Sequence, residues 1–290
     1  MARVTANGRG DAAPRAAVVE LVSVYKAFVA GGTRQAKLAL EDVSLSVPRG
    51  EFWSIIGPSG CGKSTILNLI AGLSAPTDGT VLYDGRVVRG VNTDVGYVTQ
   101  DDNLLPWRTL QANVELALEL RGVPAAQRAE RSRELIGRVG LSGFERHYPA
   151  ELSGGMRKRA SIIRTLIYET PVILMDEPFG PLDAQTRLVL QDDLLRLWER
   201  SRRTILFVTH DLVEAIALSD RVVVMSAAPG RIKRVYDVGI PRPRDVFHIH
   251  GAPGFSLVYD RLWADISDEI AVSRRRRAGD AVEAPEAVES

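Results

Sequence analysis

The sequence predicts an α/β protein built on a parallel sheet. Three observations carry that prediction. Short apolar runs of strand length alternate with longer segments of helical spacing. A glycine-rich segment, Gly57–Ser64, stands between one such strand and one such helix. Hydrophobic residues make up 45% and charged residues 25% of the 290 positions, a globular balance that excludes a wholly disordered chain. At about 100–200 residues per domain, this length suits one large domain or two modest ones.

The elements follow in order. Residues 1–17 are rich in Ala, Gly and Arg, lack periodicity, and are expected to form a flexible lead; without an apolar h-region they are not a secretory signal. Ala39–Val47, Phe52–Ile56, Thr80–Tyr83, Gly96–Thr99, Val172–Met175 and Ile205–Val208 read as strands. Ser64–Ala71, Leu110–Leu120, Ala129–Val139, Met156–Ile167 and Ala184–Arg200 read as helices. Phe255, Val258, Tyr259, Leu262, Trp263, Ile266 and Ile270 fall in steps of three and four, one face of a helical extension over 251–273. Most such faces pack on their own domain, and an interaction role is the alternative. From Arg274 a basic run passes into small and acidic residues, so 274–290 is expected to be a disordered tail. No aliphatic stretch approaches the about 20 residues of a spanning helix, so any link to a membrane would run through a partner.

Charge and cysteine exclude some functions. Lys+Arg is 37 against Asp+Glu 36, a net +1 that argues against a general nucleic-acid binder. The single cysteine, Cys61, excludes an intramolecular disulfide and a multi-cysteine metal site, and suits a reducing compartment.

The chemistry is concentrated in a few motifs. Gly57-Pro58-Ser59-Gly60-Cys61-Gly62-Lys63-Ser64 fits G-x-x-x-x-G-K-[ST], with Thr65 following. Glycines let backbone N–H groups turn inward around a polyphosphate, and the next helix offers its positive N-terminus to the same anion. Lys63 supplies a point charge for the terminal phosphates, and the Ser64 hydroxyl can ligate Mg²⁺. Cys61 reads first as filler. Its place at a helix N-terminus beside Lys63 also raises the expectation of a lowered thiol pKa, so that thiol reagents would block nucleotide binding.

Val172–Met175 ends in Asp176-Glu177: one acid at a strand tip can hold Mg²⁺, and the next can polarise a water for attack on a γ-phosphate. A pair of surface acids opening a turn before Pro178 is the alternative. His210 follows another strand and can donate to a phosphate oxygen, or simply pack. Gln100 similarly can ligate Mg²⁺ or bond the attacking water. Leu152-Ser153-Gly154-Gly155-Met156 opens a helix and forms a second anion cradle; Ser153 alone would read as an N-cap.

Taken together, these residues resemble the ATP-binding cassette ATPases from about Val18 to Asp245. Six motifs stand in the family's order: Gly57–Ser64, Gln100, Leu152–Met156, Asp176–Glu177, Pro181-Leu182-Asp183 and His210. The resemblance implies a P-loop NTPase cassette over 18–250, with an antiparallel β subdomain and a helical subdomain inserted at about 101–165. It implies ATP and Mg²⁺ as cofactors, and a head-to-tail homodimer in which Ser153-Gly154-Gly155 cap ATP held by the partner. By position, Glu177 is the implied base or water-orienting carboxylate. Asp176, Ser64 and Gln100 are the implied Mg²⁺ set, and His210 the implied γ-phosphate sensor. Asp183 is the implied coupling residue between the two sites. Phe28 is the implied adenine-stacking aromatic, with Tyr25 as a fallback.

Leu104–Thr109, Met175–Arg187, Met225–Ile232 and Pro241–Asp245 are similar to the nitrate/sulfonate/taurine branch of importer ATPases. That branch implies membrane permease subunits whose coupling helix meets the Gln100-to-Asn113 surface, a solute-binding protein, and a peripheral place on the cytoplasmic face of the membrane. The alternative is a soluble cassette ATPase acting on nucleic acid or ribosomes, but the motifs are compact, with no heptad run or cysteine cluster between them. A P-loop kinase would leave LSGGM and His210 without a role. Thr99, Lys158, Thr165 and Pro181 depart from the family's usual residues; Lys158 stands where Gln is usual.

Overall fold

The computed structural model describes residues 16–29, 36–180 and 182–282, the last six as backbone alone. Most of the expected N-terminal lead, Pro181 and residues 283–290 lie outside the described residues.

The chain opens with two long strands, β1 (Ala17–Val29) and β2 (Ala36–Pro48), paired antiparallel with Val19 opposite Val47 and Leu21 opposite Leu45. β3 (Phe52–Ile56) runs into the glycine-rich loop and α1 (Lys63–Ile70). β4 (Asp78–Tyr83) returns to pair with β1, and the short β5 (Arg86–Val87) completes a four-stranded antiparallel sheet of order β2-β1-β4-β5. The antiparallel subdomain expected from the resemblance is therefore present.

The second sheet is built by crossovers. β6 (Val95–Val98) leads through three helices, α2 (Leu110–Leu120), α3 (Ala125–Arg138) and α4 (Gly154–Leu166), to β7 (Val172–Asp176). Then come α5 (Ala184–Ser201), β8 (Thr204–Val208), α6 (Leu212–Leu218), β9 (Arg221–Met225) and β10 (Ile232–Asp237). The six-stranded order is β10-β9-β3-β8-β7-β6, parallel except for β10 against β9. Its central strands are apolar runs because both faces are covered. On β3, Phe52 and Ile56 pack toward α5 and α6, whereas Trp53 and Ile55 pack toward α1 and the antiparallel sheet. α1 thus lies between the two sheets.

α2, α3 and α4 share a small core of their own, including Leu110, Val114, Leu118, Ile136 and Ile163. α4 is buried on two sides, since Ile162 and Leu166 join the core of the large sheet while Ala160 and Ile163 face α2 and α3.

The final helix, α7 (Phe255–Val282), buries Phe255, Val258, Leu262 and Ile266 but leaves Trp263 half exposed. It runs past the Ile270 end of the apolar stripe and, as far as Val282, into the segment expected to be disordered from Arg274, because Arg and Ala are good helix formers even without an apolar face. Five further elements, β1, β5, α6, β9 and β10, do not follow from the sequence patterning.

Candidate functional site

The parallel strands β3, β7 and β8 end at one edge of the sheet, where ligands of open α/β folds bind. The loop after β3 is shaped by steric necessity. Gly60 and Gly62 have φ of 81° and 99°, the left-handed region that favours glycine. At Gly62 a Cβ would lie 2.5 Å from Leu40 Cδ2, so β2 forms a wall of the loop. Lys63 Nζ donates to the carbonyls of Gly57 and Pro58 at 2.9 and 3.1 Å, which holds the ammonium over the loop. Ser59, Gly60 and Ser64 are exposed there, and Thr65 is half-buried.

Cys61 overturns one sequence expectation. It is fully buried, and burial pushes its thiol up despite Lys63 pulling it down. The helix N-terminus does not make it a reactive thiolate; the Cys61 side chain is packing within the loop.

The acids of β7 meet the loop from the side. Ser64 Oγ donates to Asp176 Oδ1 at 3.0 Å. Burial raises the Asp176 pKa, against the Ser64 bond and the charges of Lys63 and Lys158. Glu177 follows with φ of 42°, a conformation that costs a non-glycine residue energy, and its N–H donates to Val208 O at 3.0 Å. Its Oε2 stands 3.1 Å from His210 Nδ1. The surface-acid alternative for this pair does not account for that placement. Strained backbone and paired side chains converge beside a phosphate-type loop.

Thr209, the neighbour of His210, is held by groups the motif reading missed. Thr209 Oγ1 donates to Glu214 Oε2 and accepts from Asp211 N at 3.0 Å, while Gln191 Nε2 donates to Glu214 Oε1 at 2.8 Å. Glu214 is buried, and burial pushes its pKa up to about 7. No local pattern announces this, because Gln191 comes from α5 and Thr209 from the end of β8.

The other expected residues stand apart from this centre. Gln100 is exposed, and no hydrogen bond links its side chain to Ser64 or Asp176 among the described residues. Ser153 caps α4, accepting from Met156 N at 3.3 Å, and Gly155 lies close to Thr186, where a Cβ would be 3.0 Å from Thr186 Cγ2. Gly154 is open toward solvent on the same turn. Asp183 caps α5 through Gln185 N and Thr186 N, bonds that hold its carboxyl below the usual range. Phe28 is about half exposed on β1 with Lys26 Nζ over its ring at 5.0 Å, and Tyr25 is half-buried. Two of the sequence departures are buried and hydrogen-bonded inside the fold. Thr165 Oγ1 donates to Ser161 O at 3.3 Å, and Lys158, buried in α4, reaches the Gln100 segment; burial pulls its pKa down to about 8.

A phosphate-type loop at the strand ends, flanked by an acid-tipped strand, defines a P-loop nucleoside triphosphatase. Known proteins narrow the class. The family model described as ABC transporter matches residues 40–180. An uncharacterized ABC transporter ATP-binding protein of Methanocaldococcus jannaschii is 48% identical over 227 residues, covering 78% of this chain and 84% of that relative. The aliphatic sulfonates import ATP-binding protein SsuB of Bacillus subtilis is 40% identical over 240 residues, covering 83% of this chain and 91% of that protein. Among solved structures, a dimeric ATP-binding cassette in a post-hydrolysis state, bound to ADP and Pi, matches with a TM-score of 0.69 at 34% identity, covering 76% of this chain and 98% of that one. The chain belongs to the ATP-binding family of ABC transporters and is an ATPase of that family.

Proposed function

We propose that this protein is the ATP-hydrolysing subunit of an importer that takes up a small anionic or related solute, of the nitrate/sulfonate/taurine type, through a partner permease. The observation that carries the ATP-hydrolysing part of the reading is the pair of contacts beside the loop, Ser64–Asp176 and Glu177–His210. Gly57–Thr65 would cradle the phosphates and Lys63 would neutralise the terminal ones. Glu177 would orient the attacking water and accept its proton, with His210 sensing the γ-phosphate.

Mg²⁺ fits the residues present. Among the described residues no group of three or more His, Cys, Asp or Glu could hold an ion alone, so phosphate oxygens would complete a shell begun by Ser64, Asp176 and Gln100. The half-buried Asp176, whose charge burial disfavours, would gain from a cation beside it. When bound, the ion neutralises charge that builds on the β- and γ-phosphates.

A homodimer would place Ser153-Gly154-Gly155 of one protomer over ATP on the other, with Asp183 coupling the sites and Phe28 stacking on adenine. The dimeric cassette bound to ADP and Pi supports this arrangement. No helix among the described residues is long and apolar enough to cross a membrane, so attachment to the cytoplasmic face would run through the permease. The Gln100-to-Asn113 surface suits that contact, since Trp107 is 70% exposed there. The sulfonate importer relative supports the solute class, which a binding protein and the permease would select.

The test is to purify the Glu177→Gln variant from native membranes with ATP present. A multi-span membrane protein in stoichiometric amount is the expected companion. A ribosomal or soluble partner alone would overturn the importer reading.

A further inference from the structure

Lys158 has an unusual position for a lysine in the second turn of a helix. It is only 2% exposed, and its ammonium points away from solvent into the Gln100 segment. There it donates to Thr99 O at 2.8 Å and to Gln100 O at 2.9 Å. A buried ammonium on two consecutive carbonyls is a charge-assisted clamp on the backbone. Its α4 neighbours reinforce the clamp. Arg157 Nε donates to Asp102 Oδ2 at 3.0 Å, and Arg164 donates to Asn103 O at 2.7 Å and Asp102 O at 3.1 Å. The clamped segment is itself knotted, because Asn103 Nδ2 donates to Thr99 Oγ1 at 2.7 Å and Thr99 Oγ1 to Asp101 O at 2.9 Å.

The helix that carries these cations begins at Ser153. We propose that Lys158 is a positioning residue for ATP hydrolysis: it ties the Gln100 backbone to the Ser153–Gly155 turn, so the two move as one body. The proposal rests on the reading above, in which Gln100 serves the chain's own ATP and Ser153–Gly155 cap the partner's. A shift of the glutamine segment then displaces the cap, and closure of the cap sets the glutamine. Lys158 acts through the two carbonyls that its ammonium holds. Because a misplacement of about 1 Å at a reacting centre can cost about 100-fold in rate, loosening this tie is expected to lower kcat rather than ATP affinity.

The full-length protein is compared with Lys158→Met, Lys158→Arg and Glu177→Gln. Lys158→Met keeps ATP affinity within about twofold, loses about tenfold or more in kcat, and exchanges backbone amides of residues 99–103 faster. Lys158→Arg, which still donates to both carbonyls, recovers most of the rate. Lys158→Met with kcat within about twofold of wild type, while Glu177→Gln is inactive, overturns the tie and leaves the ATPase roles standing. Glu177→Gln turning over like wild type overturns the roles themselves. A loss in Lys158→Met that Arg does not rescue, with affinity and melting temperature falling together, marks a merely structural lysine and also overturns the proposal. Should Lys158→Met fail to fold, amide exchange in Glu177→Gln with and without ATP decides: residues 99–103 and 153–157 gain protection together if tied, and independently if not.

Discussion

Glu177 Oε2 and His210 Nδ1 meet at 3.1 Å although they follow different strands. The parallel register sets this up. Asp176 lies opposite Val208, so the residues just beyond β7 and β8 emerge side by side. The bond from Glu177 N to Val208 O then locks the tip of one strand to the other.

If Glu177 is the water-orienting base, Glu177→Gln removes its proton-accepting charge while keeping its shape. Turnover should fall by at least about 100-fold with ATP binding intact, and ATP should then hold a dimer together. Phosphate release and sizing in ATP measure both. A variant that stays monomeric in saturating ATP would sink the capped-site arrangement.

Ser153 stands at a helix start, and in the proposed dimer it would lie opposite a partner's phosphate loop, where a long cation could not be accommodated. Ser153→Arg should bind ATP as wild type does, yet neither dimerise nor hydrolyse. Equilibrium ATP titration beside a turnover assay separates the two, and full activity would show that this turn caps nothing.

Glu214 makes stability depend on pH. Its pKa is raised by burial from 4.5 to about 7, so the folded state prefers the protonated acid. The associated stability is complete below the unfolded pKa and is lost as pH rises through about 7, by about 3 kcal/mol at full ionisation. Melting temperature should fall between about pH 5 and pH 8, and Glu214→Gln should flatten that slope. An unchanged slope in the variant would assign the pH dependence to other groups.

Cys61 should resist thiol reagents in the native state and react only as fast as the fold opens, because it is fully buried with its pKa raised. Labelling followed with and without ATP measures this. Rapid native labelling that ATP prevents would restore the reactive-thiol expectation.

The loop, the β7 acids and His210 were legible because phosphate chemistry demands contiguous residues next to apolar strands. β1 was not. Its alternation is broken by register shifts between Leu21 and Val24 and between Val24 and Lys26, and Ser23 takes φ of 44°. α6 is only seven residues long, too short for periodicity to show. Lys158 and Glu214 look like surface charges in the sequence. Their burial depends on partners dozens of positions away for Lys158 and on Gln191, 23 positions back, for Glu214.

The seam between the two sheets has a practical consequence. Gly230 N donates to Ala39 O and Glu41 N donates to Gly230 O, while a Cβ on Gly230 would lie 1.8 Å from Cys61 O. Leu40, between those two β2 residues, walls Gly62. The β9–β10 turn, β2 and the nucleotide loop therefore share one joint, stitched by backbone. A truncated fragment starting at β3 would keep every catalytic motif and still lack a side of its binding loop. The smallest portion worth expressing for nucleotide work begins at β1 and continues through the β10 hairpin.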